Sequence, residues 1–318
     1  MFSIQDVEQL RKQLTPFELF GGETDQTATL TAYRSHYCID PDSLGFTCSH
    51  RIGTFRSGAY TLVAQHFQLH EGEVGTTFLL HGYYDHAGLY GHLIRQCLAL
   101  GYSVVIMDLP GHGLSSGKPA SIESFVAYAE ALECVLKFAS ELPRPWVGIG
   151  QSTGSAVIMD SLLNQGLDKR FRLAHYVLLC PLIYPVGWSL SRHVFYLTRL
   201  FLPGIRRSFP RNSHDDGFLN FLRKRDCLQA WTLPTTWVAA MVDFQQRFSR
   251  AALSEVPVQI IQGTSDGTVD WRKNLPLIKQ KFPASQSYLL DNARHHLVNE
   301  SVCFRKPLFA RLAEIIAP

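Results

Sequence analysis

Gly150-Gln151-Ser152-Thr153-Gly154 lies directly after the apolar run Trp146, Val147, Ile149 and directly before the helix-compatible stretch 156–163. A serine between two such glycines, at a strand-to-helix turn, has its hydroxyl raised clear of a sheet. The glycines have a steric purpose, because a side chain at either flank of so tight a turn would strike the neighbouring strand or helix. Ser152 is therefore the candidate nucleophile. A serine hydroxyl is weak at neutral pH and needs a base to take its proton and an acid to orient that base. Five loosely specified positions recur by chance, so the weight falls on whether the chain supplies both partners. It does, in the order Ser, Asp, His.

Thirteen histidines are present, so position must select among them. His295 and His296 end Asp291-Asn292-Ala293-Arg294-His295-His296, just after the strand-like run 288–290, where a loop can bring an imidazole back over a sheet. The residues themselves leave both open. Gln262-Gly263-Thr264-Ser265-Asp266-Gly267-Thr268-Val269-Asp270 follows a second strand-like run, 258–262, and holds two carboxylates. Asp266 comes first off the strand end, between glycines, and is the expected acid; Asp270, next to Trp271, reads as a helix cap.

Negative charge that develops on a substrate carbonyl oxygen calls for backbone donors, each worth about a hundredfold to a thousandfold in rate. The expected oxyanion-hole donors are the N–H groups of Thr153, at the start of a helix, and of Tyr83 in His81-Gly82-Tyr83-Tyr84-Asp85-His86. Gly82 leaves room for that backbone to approach a substrate. His81 and His86 lack the carboxylate and histidine spacing of a metal site, so structural hydrogen bonding is expected of them. Neither a metal nor a cofactor is expected.

The elements that must position these residues can be read from hydrophobic periodicity. Residues 1–45 read as a short helix stopped before Pro16, then a polar connection. From about 46 to 69, two strand-like segments flank Arg56-Ser57-Gly58-Ala59, an antiparallel hairpin at a sheet edge. Apolar runs at 76–81, 104–108, 146–149, 176–180, 258–262 and 288–290 are candidate strands. Helical stripes lie between some of them: Leu93, Cys97 and Leu100, then Phe125, Ala129, Leu132, Leu136 and Ala139. Strand and helix in alternation imply a mostly parallel sheet covered on both faces. From about 186 to 248 no strand is evident, while aromatic, leucine and arginine residues abound; a helical insertion over the carboxyl ends of the strands is expected.

A length of 318 residues, 46% hydrophobic and 18% charged, suits a folded chain with a sizeable core. A formal charge of +3 without a basic run argues against a nucleic-acid partner. The seven cysteines are widely spaced with no C-x-x-C pair, which favours reduced thiols. Charged residues interrupt the first twenty positions, unlike a secretory leader, and no stretch suffices to span a bilayer. A cytoplasmic enzyme is the expectation.

Three segments carry a family resemblance. His81-Gly82-Tyr83-Tyr84-Asp85-His86-Ala87-Gly88-Leu89-Tyr90 resembles the H-G-x-x-[DE]-H-[SA]-G-x-Y segment of the monoacylglycerol lipase and lysophospholipase branch of the α/β hydrolases. Asp108-Leu109-Pro110-Gly111-His112-Gly113-Leu114-Ser115-Ser116-Gly117 is similar to that branch's D-x-x-G-H-G-x-S-x-G loop. Ala293-Arg294-His295-His296-Leu297-Val298-Asn299-Glu300 is similar to its A-R-H-E-L-x-N-E ending, which puts His295 rather than His296 at the catalytic histidine. Two positions depart from the pattern: Gln151 stands where the branch commonly has histidine, and His296 where it has glutamate.

The resemblance implies an α/β-hydrolase fold divided as core 1–185, helical cap 186–248 and core 249–318. It implies a carboxylic ester hydrolase with Ser152, Asp266 and His295 as its triad, acting on mono-acyl lipids such as monoacylglycerol or lysophospholipid. A small-ester carboxylesterase, a proline-directed peptidase, an acyltransferase or a non-catalytic binding protein of the same fold are the alternatives. Within the insertion, Val194, Leu197 and Phe201 share one helical face, Arg192 and Arg199 another, and Arg206, Arg207 and Arg211 follow. A lid touching an anionic membrane is the sharper reading of that pattern. A cap packed on the core is the expected one, because the end of the helix is apolar nearly all round.

Overall fold

The computed structural model describes residues 2–19, 26–198 and 201–317. Ten strands run through the described residues. They are β1 (Cys48–Ser57), β2 (Tyr60–Leu69), β3 (Gly75–Leu80), β4 (Tyr102–Asp108), β5 (Trp146–Gln151), β6 (His175–Leu179), β7 (Gly204–Arg206), β8 (Thr232–Pro234), β9 (Gln259–Gly263) and β10 (Gln286–Leu290). Eight form one sheet in the order β1-β2-β4-β3-β5-β6-β9-β10, and β7 pairs with β8 apart from it. β1 and β2 make the antiparallel edge hairpin, closed by Gly58 and Ala59 between the paired Ser57 and Tyr60. Gly58 takes φ 53° there, a value that favours glycine. From β4 to β10 neighbouring strands run parallel.

Successive side chains of the central strands feed two cores. Phe78, Leu80, Val105, Met107 and Leu178 point to one face, where they meet Phe125, Leu132 and Phe244. Leu79, Val104, Ile106, Val177 and Leu179 point to the other, against Leu93, Ile94 and Leu312. Burial on both faces explains why these strands are continuously apolar rather than alternating.

Among the described residues twelve α-helices accompany the strands: α1 (Ile4–Gln13), α2 (Ala28–Tyr37), α3 (Pro41–Leu44), α4 (Gly91–Ala99), α5 (Phe125–Phe138), α6 (Thr153–Asn164), α7 (Leu167–Phe171), α8 (Trp188–Thr198), α9 (Asp216–Lys224), α10 (Thr235–Arg250), α11 (Trp271–Lys281) and α12 (Val302–Ile316). Two of them correct the expected polar connection before residue 45. Thr27 caps α2 through the amide of Leu30, and Asp40 caps α3 with a proline in its first turn. α2 is held by packing, for Tyr33 and Tyr37 stack edge-on against Phe2.

Between β6 and β9 the chain forms α8, β7, α9, β8 and α10. The ribbon β7/β8 corrects the expectation of a strandless insertion; with three residues in each strand it leaves no period to read. Trp188 and Phe195 of α8 are buried, yet Leu190 and Leu197 are 73% and 77% exposed, so the helix is not apolar-buried all round. Arg199, counted on its basic face, lies outside the described residues.

Candidate active site

Loops at the carboxyl ends of four strands meet at one place: Ser152 after β5, residues 82–86 after β3, Asp266 after β9 and His295 after β10. β3 lies between β4 and β5, so the chain changes direction across the sheet there, and such a reversal opens a crevice at the strand ends.

Ser152 adopts φ 54° and ψ −107°, outside the comfortable regions for a side-chain-bearing residue. Its N–H reaches the Leu179 carbonyl at 2.8 Å, and α6 begins with the next residue. A Cβ on Gly150 would lie 2.5 Å from the Gly154 carbonyl carbon, and one on Gly154 would lie 2.2 Å from the Leu80 oxygen. The turn thus admits no side chain at either flank.

His295 stands between the other two residues, with Nδ1 2.7 Å from Asp266 Oδ2 and Nε2 3.0 Å from Ser152 Oγ. Asp266 Oδ1 also accepts from the amides of Thr268 (2.8 Å) and Val269 (3.0 Å). Burial opposes ionisation of this carboxyl, but His295 and the two amides hold it below its usual range. An ionised carboxylate only accepts, so Nδ1 donates to it and Nε2 keeps its lone pair toward the serine O–H.

The two rivals are placed elsewhere. Asp270 caps α11 through the amide of Lys273, and His296 turns to the β3 loop with Nε2 3.1 Å from Asp85 Oδ2, out of hydrogen-bond alignment.

Thr153 opens α6, whose first-turn amides have no partner inside the helix. Tyr83 is fixed by stacking on Trp237 (centroids 3.7 Å apart) and by its hydroxyl, which donates to the Ala120 carbonyl at 2.6 Å. A Cβ on Gly82 would stand 2.8 Å from Asp85 Oδ2 and 3.5 Å from Ser152 Cβ, so a side chain there would press on the Asp85 carboxylate beside the nucleophile.

His81 Nδ1 donates to the Gly82 carbonyl at 2.7 Å and Nε2 accepts from the Leu109 amide at 2.9 Å; burial lowers its pKa to about 3. His86 Nε2 lies 3.1 Å from Asp226 Oδ2. Both rings serve the scaffold. Cys180, Asp266 and His295 do offer ligand atoms within 4.8 Å of one another. Burial, followed by the charge of Asp266, pushes the Cys180 thiol up, while Asp266 is engaged with His295 and His295 with Ser152.

Four positioning residues were not recognised from sequence. Gln151 Nε2 donates to the His295 carbonyl at 2.9 Å. Buried Glu300 accepts from the amides of Arg294 and His214, both at 2.7 Å, tying the His295 loop to the insertion. Asp226 reaches back to His86, and Cys180 packs behind the Asp266–His295 pair. Gln151 and Glu300 lie in motifs already noted; Asp226 and Cys180 carried no local signal.

Ser152 and His295 open into a cavity of about 660 Å³, within the size range of small-molecule sites. Leu182, Trp188, Phe195, Leu233, Trp237 and Val238 give it much of its apolar lining.

Sheet order, crossovers and the serine turn define an α/β hydrolase. Residues 73–302 match the family described as serine aminopeptidase, S33. The match covers most of the chain, and the protein belongs to this family of serine hydrolases. Among relatives, a monoacylglycerol lipase of Mycolicibacterium smegmatis is 32% identical over 88 residues, 26% of this chain and 31% of that protein. Phospholipase YtpA of Bacillus subtilis is 29% identical over 92 residues, 29% of this chain and 36% of its own. The chain thus spans about a third of the length of these curated relatives. A soluble variant of the monoglyceride lipase from Saccharomyces cerevisiae, solved with a substrate analog, superposes with a TM-score of 0.70 at 16% identity. That alignment covers 82% of this chain and 92% of the yeast one, and it speaks for the fold. Among the described residues no helix is long and apolar enough to cross a membrane.

Proposed function

We propose that the protein is a carboxylic ester hydrolase working through an acyl-enzyme. The reading is carried by one observation, the imidazole of His295 held between Asp266 and the hydroxyl of Ser152. Ser152 Oγ attacks the ester carbonyl while His295 Nε2 takes its proton, and the amides of Tyr83 and Thr153 receive the oxyanion. The leaving alcohol departs with the proton from His295. Water, deprotonated by the same nitrogen, then releases the acid and restores the serine. Asp266 holds the tautomer and offsets the imidazolium charge at both steps.

Mono-acyl lipids are the substrates this reading favours: one cavity joins an apolar wall to the serine, and the two curated relatives are named as a monoacylglycerol lipase and a phospholipase. The division into core 1–185, cap 186–248 and core 249–318 goes with it. Peptidase action would call for a free carboxylate to hold a substrate amine. Asp85, the one acidic residue among the described lining residues, accepts from the Tyr90 hydroxyl at 3.0 Å and stands beside His296.

Leu190, Leu197, Phe201 and Trp231, all more than half exposed, support contact between the cap and a lipid surface over the packed-cap expectation. Flotation with anionic liposomes at low salt tests this, and a protein that stays at the bottom of the gradient removes it.

A fluorophosphonate probe tests the nucleophile: wild type labels and Ser152→Ala does not. Labelling that survives the substitution, or never occurs, refutes the reading and leaves the non-catalytic binding protein. A panel of p-nitrophenyl esters of rising acyl length, beside proline p-nitroanilide, separates the remaining alternatives. A sharp optimum at acetate favours the small-ester carboxylesterase, and anilide cleavage favours the peptidase. Transfer of the acyl group to an added alcohol in preference to water favours the acyltransferase.

A further inference from the structure

Arg207 follows β7 and lines the same cavity as Ser152. Its guanidinium is held as a flat fork, with Cζ 3.8 Å from the centroid of the Tyr84 ring and 4.3 Å from that of Phe209. Nη1 donates to Gln229 Oε1 and to the Ala230 carbonyl at 3.3 Å. Gln229 is itself fixed, for its Nε2 donates to Asp226 Oδ2 at 2.7 Å and to the Tyr84 carbonyl at 3.1 Å.

Among the described residues no carboxylate lies within ion-pair distance of this guanidinium, and its Nε and Nη2 have no hydrogen-bond partner. The two acids whose charge reaches it each have other bonds: Asp226 accepts from Tyr37, His86 and Gln229, and Asp85 from Tyr90. A half-buried cation on a cavity wall, offset only at a distance by Asp85 and Asp226, has no direct counter-ion until a ligand supplies the anion.

We infer that Arg207 is a head-group anchor, binding the phosphodiester of a lysophospholipid whose acyl ester lies at Ser152. The inference rests on the ester-hydrolase reading and chooses between its two lipid classes. The planar guanidinium presents parallel N–H groups that match two phosphate oxygens, whereas a neutral glycerol head group would hydrogen-bond without balancing the charge. Asn212 lines the cavity as well, and its buried Oδ1, unpaired in the protein, offers an acceptor to a glycerol hydroxyl.

The test is the ratio of kcat/KM for 1-acyl lysophosphatidylcholine to that for 1-monoacylglycerol of the same chain, in wild type and Arg207→Gln. The ratio is expected to fall about ten- to a hundredfold in the variant, the range carried by hydrogen bonds to a charged group. Arg207→Lys, which keeps the charge and loses the fork, should fall between, and it carries the test if the glutamine variant does not fold. An unchanged or increased ratio overturns the inference, as does a wild type that cleaves monoacylglycerol and no lysophospholipid. Inhibition of p-nitrophenyl ester cleavage by inorganic phosphate, lost in the variant while the ratio stays constant, would assign the subsite to a free anion and also overturn it. A wild type that cleaves none of these esters and takes no fluorophosphonate defeats the underlying hydrolase reading instead.

Discussion

Gln151 Nε2 donates to the main-chain oxygen of His295 at 2.9 Å, so the residue before the candidate nucleophile holds the loop that carries the candidate base. Gln151→Ala removes that tether and leaves Asp266 in place. The imidazole then loses its fixed position against Ser152 Oγ, and a shift of about 1 Å in a reacting group can cost up to a hundredfold. We expect kcat on a p-nitrophenyl ester to fall by about ten- to a hundredfold with KM little changed. A well-folded Gln151→Ala enzyme with wild-type kcat would show that the loop is positioned by other contacts.

The two aspartates after β9 give a second contrast. Ser152→Ala or His295→Ala should lower turnover by about 10⁴- to 10⁶-fold and Asp266→Asn somewhat less, by analogy with serine proteases. Asp270→Asn should cost little, since its carboxylate caps α11 and asparagine caps as well. Single-turnover and steady-state rates on one ester decide. An inactive Asp270→Asn beside an active Asp266→Asn would reverse the choice of acid.

What was legible in the chain was what depends on near neighbours. The serine turn is a matter of backbone collisions within a few residues, and the central strands announce themselves because both faces are covered. The choice of Asp266 over Asp270 rested on distance from a strand end, which the parallel register of β9 and β10 translates directly into space. The hidden parts depend on remote partners. α2, with threonine, tyrosine and serine in its sequence, is stabilised by what Tyr33 and Tyr37 touch. Asp226 lies 140 positions from His86, and nothing near either residue forecasts the pairing. Nothing in the sequence around Arg207 forecasts the rings of Tyr84 and Phe209 against its guanidinium, for Tyr84 is remote in the chain.

The glycines of the serine turn should tolerate nothing larger. At Gly150 and Gly154 an added Cβ meets main-chain atoms at 2.5 Å and 2.2 Å, which no side-chain rotamer can relieve. Gly154→Ala is therefore expected to destabilise by about 2 kcal/mol or more, in the range of overpacked sites, and to displace Ser152. Gly267→Ala is the contrast, since its Cβ would meet nothing within 4 Å and should change stability by about 0.5 kcal/mol or less. Denaturant midpoints compare the two. Equal midpoints for Gly154→Ala and wild type would mean that the turn relaxes more easily than its contacts allow.

The His86–Asp226 pair should give stability a pH signature. It joins the β3 loop to the insertion with both side chains buried, and Tyr37 adds a hydrogen bond to Asp226 at 2.8 Å. Burial opposes charge on His86, but Asp226, with smaller help from Asp108 and Asp85, raises its pKa above the ordinary 6.5. Burial likewise opposes ionisation of Asp226, yet His86, Gln229 and Tyr37 bring its pKa below 3.8. A raised histidine stabilises fully below its unfolded value and loses that contribution as pH climbs through the folded one. A depressed aspartate stabilises above its unfolded value and loses that contribution as pH drops through the folded one. The link is therefore strongest between about pH 4 and 6.5 and weakens on the alkaline side. His86→Gln leaves Asp226 buried without its cation, which typically costs about 3 kcal/mol or more near pH 6. Melting temperatures of both proteins, taken from about pH 6 to 9, should converge as the wild-type histidine loses its proton. Parallel curves over that range would mean that the pair carries no net charge coupling and acts as a neutral hydrogen bond.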